Sequence, residues 1–108
     1  MSSTSAFAVK SLDHVVLTVK DIQATINFYT QHLGMTHEVF RSKDTERQVH
    51  VLKFGSQKIN LHLSGHEFEP KAATVQPGSG DLCFITEHPI DEVLGAWKTA
   101  GLEVLKQT

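Results

Sequence analysis

An alternation of apolar and polar positions organises the chain between residues 12 and 34. Leu12–Val19 is rich in Val, Leu and Thr, which is typical of a buried strand. One face of this strand carries Leu12, His14, Val16 and Thr18. An apolar stripe at helical spacing follows, formed by Ile22, Ile26, Tyr29 and Leu33. Asp21 suits the N-cap and Gly34 the stop of this helix, so the pattern predicts a strand, a tight turn and an amphipathic helix.

The same pattern recurs between residues 78 and 101. When the two stretches are aligned, His14 corresponds to Asp81 and Gly34 corresponds to Gly101. Pro89 suits the first position of a second helix, since its missing N–H has no helical partner to lose there. The apolar stripe of that helix is formed by Ile90, Val93, Leu94 and Trp97. We interpret the two stretches as an internal repeat of one supersecondary unit.

Three more strands are predicted after the first helix, at Met35–Phe40, Gln48–Phe54 and Gln57–Leu63. The first unit is therefore predicted as β-α-β-β-β. Residues 64–80 have little periodicity and contain several Gly and Pro residues. Since a loop of this length is uncommon in a compact domain, we expect it to cover a site or to act as a linker.

The second unit is predicted to begin with a strand at Asp81–Thr86, to continue with a helix at Pro89–Ala100 and to start another strand at Leu102–Lys106. A complete second copy would need about two further strands. We expect residues 1–10 to form a disordered, Ser-rich tail and residues 11–108 to form a single domain. Within that domain we expect a first module, a linker and a truncated second module at 11–64, 65–80 and 81–108.

Composition and charge remove several classes of function. The net charge of −2 supplies no basic patch, so nucleic acid is not an expected partner. The single cysteine, Cys83, excludes an internal disulfide and favours a reducing, cytoplasmic location, and its apolar neighbours favour packing over nucleophilic chemistry. The first ten residues lack a secretion signal, and no apolar run approaches the length of a membrane span.

Three residues are candidates for metal chemistry, and each also has a structural interpretation. His14, inside an apolar strand, is by itself better explained as a buried, hydrogen-bonded histidine. His62 shares a face with Asn60, which fits either a site or a polar stripe on a half-exposed strand. Asp81 is equally well explained as a structural carboxylate at the end of a strand.

The repeat changes these interpretations. If the two copies pair about a pseudo-twofold axis, His14 and Asp81 converge at equivalent positions. Imidazole and carboxylate ligands favour Zn, Mn, Fe or Ni. The equivalent of His62 would lie beyond the last residue, so we expect such a site to lack one ligand and to bind metal weakly. We also expect a homodimer, because an incomplete sheet leaves an unpaired edge.

Further residues are candidates for contact with a small-molecule ligand. His50 lies on the strand face of Leu52 and Phe54 and points either at a cavity or into packing. Phe68 and Lys71 lie on the long loop, which either covers a site or crosses the surface.

These residues resemble those of a known superfamily. The phrases DHVVLTV, FYTQHLGM and FGSQKINLH resemble the first module of the vicinal oxygen chelate superfamily, which includes glyoxalase I, bleomycin-resistance proteins, fosfomycin-resistance enzymes and extradiol dioxygenases. The loop GHEFEPKAA and the run DLCFIT resemble most closely glyoxalase domain-containing protein five and its bacterial and fungal relatives. The resemblance implies an α+β fold of paired βαβββ modules, with the second module incomplete in this chain.

The resemblance also implies a site. His14 matches the first-strand metal ligand, Asn60 matches the fourth-strand ligand with His62 two residues on, and Asp81 matches the ligand of the second module. A metalloenzyme of this kind would be a lyase or isomerase acting on a small oxygenated or glutathione-linked substrate. Its metal would stabilise enediolate charge, and Asp81 would be the catalytic base. Asn60, His50, Phe68 and Lys71 are the expected substrate contacts. The alternatives are a metal-free binding module of the bleomycin-resistance type and a truncated inactive form.

Overall fold

The computed structural model describes residues 5–43, 47–67 and 71–105. The described chain contains four strands and two helices. In chain order they are β1 (His14–Val19), α1 (Ile22–Leu33), β2 (Thr36–Arg41), β3 (Gln48–Phe54), β4 (Gln57–Leu63) and α2 (Ile90–Thr99). Both the β-α-β-β-β order of the first module and the α+β class are confirmed.

The four strands form one mixed sheet in the order β1-β4-β3-β2. β1 runs parallel to β4, whereas β3 is antiparallel to both β4 and β2. The parallel pair aligns Val16 with Asn60 and Thr18 with His62. Because paired residues point to the same side of a sheet, this register decides which side chains share a face.

One face of the sheet is packed against α1. Ile26 of α1 belongs to a buried cluster with Met35, Leu52, Ile59 and Leu61. Leu52 and Ile59 are fully buried. We call this side the helix face. Because this face is buried, every second residue of β4 is apolar, and Ile59 and Leu61 point toward α1.

The ends of α1 are fixed by the residues that the sequence indicates. Asp21 has an extended backbone, and its side chain accepts a hydrogen bond from the amide of Ala24 at 2.9 Å. Gly34 has a φ of 67°, a left-handed conformation that glycine adopts without a Cβ penalty. The predicted N-cap and helix stop are therefore both confirmed.

The strands predicted for the second unit are wrong for the described residues. No strand is assigned at 81–86 or at 102–105, although α2 forms close to its predicted position. An extended segment becomes a strand by sharing backbone hydrogen bonds with a neighbour, and no such pairing involves either segment within the described ranges. α2 is joined to the first unit instead, since Trp97 Nε1 donates to the backbone oxygen of His32 at 2.9 Å.

Among the described residues, no helix is both long enough and apolar enough to cross a membrane.

We expect Leu52→Ala to lower the free energy of unfolding by about 2–5 kcal/mol, because it opens a cavity at a fully buried position. Urea unfolding measures this loss. The matched control is Leu105→Ala, at a position that is 87% exposed, for which the expected change stays within about 0.5 kcal/mol. Equal changes in the two variants would contradict the assignment of the core.

Candidate functional site

The face of the sheet opposite to α1 gathers the polar side chains of the central strands. We call it the site face. By strand alternation and register it carries His14, Val16 and Thr18 of β1, Lys58, Asn60 and His62 of β4, and Val49, Val51 and Lys53 of β3. His14, Asn60 and His62 therefore share one face, as expected from the sequence.

The spacing on this face separates the two histidines. His14 is aligned with Lys58, whereas His62 is aligned with Thr18, four residues further along β1. At the rise of a strand, these positions lie about 13 Å apart. Asn60 is two residues from the level of His14, which makes the two diagonal neighbours across the parallel pair. His14 can thus approach the same small ligand as Asn60, whereas His62 lies further along the same face.

His62 is buried, with 3% of its surface exposed. Burial lowers the pKa of its imidazole, and the charges of Arg47 and Lys71 act in the same direction, while the carboxylate of Glu67 raises it. Arg47 precedes β3, and Glu67 and Lys71 belong to the loop after β4. The long loop therefore brings charged groups to the end of the site face where His62 lies, and His62 is held mainly as the neutral imidazole.

Asn60 lies in the middle of the site face. Its neighbours across the sheet are Val16 and Val51, which surround the amide with apolar groups. Its Oδ1 is buried, and no hydrogen bond to it is made by the described part of the chain. A buried amide oxygen in this condition costs free energy unless a ligand or water donates to it. The atom therefore marks a place where a hydrogen-bond donor is expected to bind.

His14 is held by its neighbour in sequence. Its Nδ1 lies 2.9 Å from Oδ2 of Asp13, and Lys58 Nζ lies 3.5 Å from the same oxygen. The hydrogen bond with His14 and the charge of Lys58 lower the pKa of Asp13. An ionised carboxylate only accepts hydrogen bonds, so Nδ1 carries the proton and Nε2 of a neutral His14 has the free lone pair. Asp13 thus fixes the tautomer of His14.

A cavity of about 430 Å³ opens at the end of the sheet where His14 lies. Its wall includes His14, Lys58 and the turn between β3 and β4, and the segment 82–85 closes it on the other side. Phe84 contributes through an edge-to-face contact with Phe54, with ring centres 5.4 Å apart. The size of this cavity suits a small molecule.

Asp81 lies elsewhere. It lines a different cavity, together with Tyr29 and Trp97, and not the cavity of His14. Within the described ranges, no three His, Cys, Asp or Glu side chains come close enough to hold a metal ion. The residues that the sequence brings together as a metal site, His14, His62 and Asp81, are therefore not assembled by the described structure.

The other predicted contacts are divided between the two faces. Val51 is aligned with Asn60, so the preceding residue, His50, points to the helix face, away from the site face. Lys71 is exposed, and its charge reaches His62. Phe68 lies outside the described residues. Asp13, Lys58 and Arg47 were not singled out by sequence reasoning. For Lys58 a signal exists, since it precedes Asn60 by two residues in β4.

A chain with this arrangement of strands can be compared with known families. The family model described as the Glyoxalase/Bleomycin resistance protein/Dioxygenase superfamily matches residues 11–106. The chain belongs to this superfamily. Among relatives within the glyoxalase superfamily, a virulence protein of Salmonella typhimurium is 45% identical over 98 residues, which are 91% of this chain and 65% of that protein. A glyoxalase domain-containing protein of Mycosarcoma maydis is 46% identical over 99 residues, which are 92% of this chain and 53% of that protein.

The chain therefore spans between about half and two thirds of the length of these two glyoxalase-superfamily relatives. The crystal structure of the Salmonella virulence protein superposes with a TM-score of 0.85 at 44% identity, covering 94% of this chain and 76% of that one. A fosfomycin resistance protein of Listeria monocytogenes, solved with Mn(II) and sulfate, is 18% identical and has a TM-score of 0.57, with 89% and 75% covered. That last likeness concerns the fold alone.

The burial of His62 makes the stability depend on pH. Its folded pKa lies below the ordinary value of 6.5, so the unfolded chain binds the proton more readily. The contribution of neutral His62 is full above about pH 6.5 and is lost as the pH falls from there toward the folded pKa. Burial and the charge of His37 also lower the pKa of His50, which adds a loss of the same sign.

We expect His62→Gln to lose less thermal stability than the wild type between about pH 7.5 and about pH 5.5. His66→Gln, at an exposed histidine, is the matched control and should follow the wild type. Thermal melts at both pH values measure the effect. An unchanged loss in His62→Gln would contradict the buried, neutral state of this side chain.

Proposed function

We propose that this glyoxalase-superfamily domain binds a small hydroxylated carboxylate on its site face, with the hydroxyl donating to Asn60. The observation that carries the proposal is the buried Oδ1 of Asn60, to which no described residue donates. This oxygen can only accept, so the ligand must offer a donor, and a hydroxyl group is the smallest one available. A cavity of about 430 Å³ opens next to this position, at the His14 end of the sheet; its wall includes Lys58, two residues from Asn60, but not Asn60 itself.

The charges near this face favour a ligand that carries a negatively charged group beside its hydroxyl. Lys58 lies two residues from Asn60 on the same strand face, and its ammonium contacts a carboxylate, that of Asp13, at 3.5 Å. Lys71 and Arg47 act on His62 from the loops, against the single carboxylate of Glu67. A carboxylate next to the hydroxyl would therefore meet cationic groups on the same side of the sheet. A small molecule with a hydroxyl group next to a carboxylate satisfies both requirements: the hydroxyl donates to Asn60, and the carboxylate meets the cationic groups.

The described residues do not fit a metal centre of the superfamily type. Of the three groups that the resemblance aligns with ligands, Asn60 offers a neutral amide and Asp81 lines another cavity. His62 is about 13 Å from His14 along the strand. The geometry supports binding of a small molecule better than metal-dependent lyase or isomerase chemistry, and we propose that divalent metal binds this face weakly at most.

The ligand proposal is tested with glycolate and acetate, which differ by one hydroxyl group. Glycolate should shift the amide NMR signals of residues on the site face, Val16 and Asn60 among them, and acetate should bind about tenfold more weakly, because it leaves Oδ1 of Asn60 without a donor. Asn60→Leu should abolish the preference for glycolate. Gln23→Leu, on the exposed side of α1, is the control and should keep it.

Two results would contradict the proposed ligand. The first is equal affinity for glycolate and acetate in the wild-type protein. The second is a glycolate response centred on α1 or on the helix face of the sheet.

The metal proposal is tested on protein dialysed first against a divalent metal and then against a chelator. We expect elemental analysis to find well below one metal ion per chain, since the site face provides too few charged donors for tight binding. One tightly held ion that is lost in His14→Ala and kept in His66→Ala would contradict this expectation.

We further propose that the domain self-associates. Several large apolar side chains of the described chain are strongly exposed, including Ile85 at 97% and Phe7 at 73%. Such groups commonly mark a surface that a partner covers, and a second copy is the partner that is always present. Sedimentation at micromolar concentration should show a dimer that Ile85→Lys weakens, whereas Lys43→Ala, an exposed change on the turn before β3, should not. A wild-type protein that stays monomeric would contradict the proposal.

A further inference from the structure

Two histidines face each other on the helix face, away from the candidate site. His37 lies on β2 and His50 on β3, and the register aligns them with Leu52 and Val39 respectively, so they are diagonal neighbours across an antiparallel pair. Nε2 of His37 is 3.0 Å from Nδ1 of His50. Both side chains are half-buried. Because each histidine sits on a hydrogen-bonded strand, the sheet fixes the distance between their backbones.

The two rings lie edge to edge. Their planes differ by 15° and their centres are 5.2 Å apart, although the two nitrogens are only 3.0 Å apart. Rings stacked face to face would bring their centres closer than this, whereas a hydrogen bond in a common plane separates the centres by the bond plus two ring radii. The contact is therefore an N–H···N hydrogen bond between two imidazoles, with their other nitrogens turned outward.

This separation is also the one that a metal ion requires. Two imidazole nitrogens bound at about 2.0–2.1 Å to one ion lie about 2.9 Å apart at a right angle and about 3.3 Å apart in a tetrahedron. The observed 3.0 Å lies between these values. We propose that His37 and His50 form a binding site for a late first-row divalent ion, Cu(II), Ni(II) or Zn(II), separate from the site face.

The rings need only a small change to bind the ion. In the hydrogen bond one lone pair points at the neighbouring N–H, so both rings turn about the bond to Cβ until their lone pairs converge, a torsion that is soft for histidine. The ring that donates its N–H changes tautomer: the proton on the contact nitrogen leaves to water, and the other nitrogen of that ring takes up a proton from water. Each imidazole stays neutral, so binding to the neutral pair releases no net proton.

The partial burial of His50 favours the neutral form that binds metal. Desolvation and the neighbouring His37 lower the pKa of His50, so the competing imidazolium is disfavoured. No third His, Cys, Asp or Glu joins the pair among the residues that the structure describes, so water completes the coordination. A site with two protein ligands is exchangeable, and a chelator should remove its ion.

The test is calorimetric titration of the purified chain with Zn²⁺, paired with NMR at a substoichiometric amount of Cu²⁺. We expect one saturable Zn²⁺ site, and we expect His37→Ala and His50→Ala each to weaken it by about tenfold or more. The double variant should bind no more weakly than either single one, because one remaining histidine no longer chelates. His14→Ala and His66→Ala are the controls and should keep the affinity. Cu²⁺ should broaden first the amide signals of Val39 and Val51.

The proposal is overturned if either single variant keeps wild-type affinity, or if broadening starts at His14 or His62. Thermal melts show whether each variant folds. Should an alanine variant unfold, His37→Gln and His50→Gln replace it, because glutamine keeps a polar side chain of similar size but lacks the imidazole. Loss of affinity in both glutamine variants would support the proposal, and its retention in either would overturn it. Neither result depends on what binds at the site face.

Discussion

The parallel pairing of β1 with β4 is the constraint on which the rest of the structure depends. It joins His14–Val19 to residues 58–63, across the helix and the two intervening strands. A parallel pair cannot be closed by a hairpin, so the intervening chain must cross one face of the sheet, and α1 does so. That crossing divides the sheet into a helix face, where Leu52 and Ile59 are fully buried, and a site face.

The site face carries polar groups that a core would not tolerate. His62 is as buried as the apolar core residues, and Oδ1 of Asn60 is shielded from solvent without a donor in the described structure. Burying such groups opposes folding. The apolar cluster on the helix face offsets this cost, so the domain can hold an unsatisfied amide and a neutral imidazole where a ligand is expected. The helix face thus supplies stability, and the site face carries the groups that the proposed ligand would contact.

Local patterns were enough to predict the first module. The limits of β3 and β4 agree with the prediction, because alternating apolar residues end at turn residues on both sides. Asp21 and Gly34 fixed α1 in the same way. The segment 81–86 has the same apolar character, but a strand depends on a neighbour that periodicity does not reveal, and its side chains are exposed.

The site was predicted less well, for reasons of distance. Alternation placed His14, Asn60 and His62 on one face, but the register between β1 and β4 sets how far apart they lie, and register involves residues distant in sequence. The same alternation already put His50 with Leu52 and Phe54, on the face that α1 covers. The burial of His62 depends on a loop without periodicity, and the edge-to-edge contact of His37 with His50 depends on the pairing of two strands.

The register of β1 on β4 therefore determines both the proposed ligand site and the separation of His14 from His62. Cross-strand nuclear Overhauser effects in isotope-labelled protein measure it directly. The account predicts contacts that align Val16 with Asn60 and Thr18 with His62. Contacts that align His14 with His62 would contradict it, since that shift would bring the two imidazoles together on one face and restore a metal-binding pair.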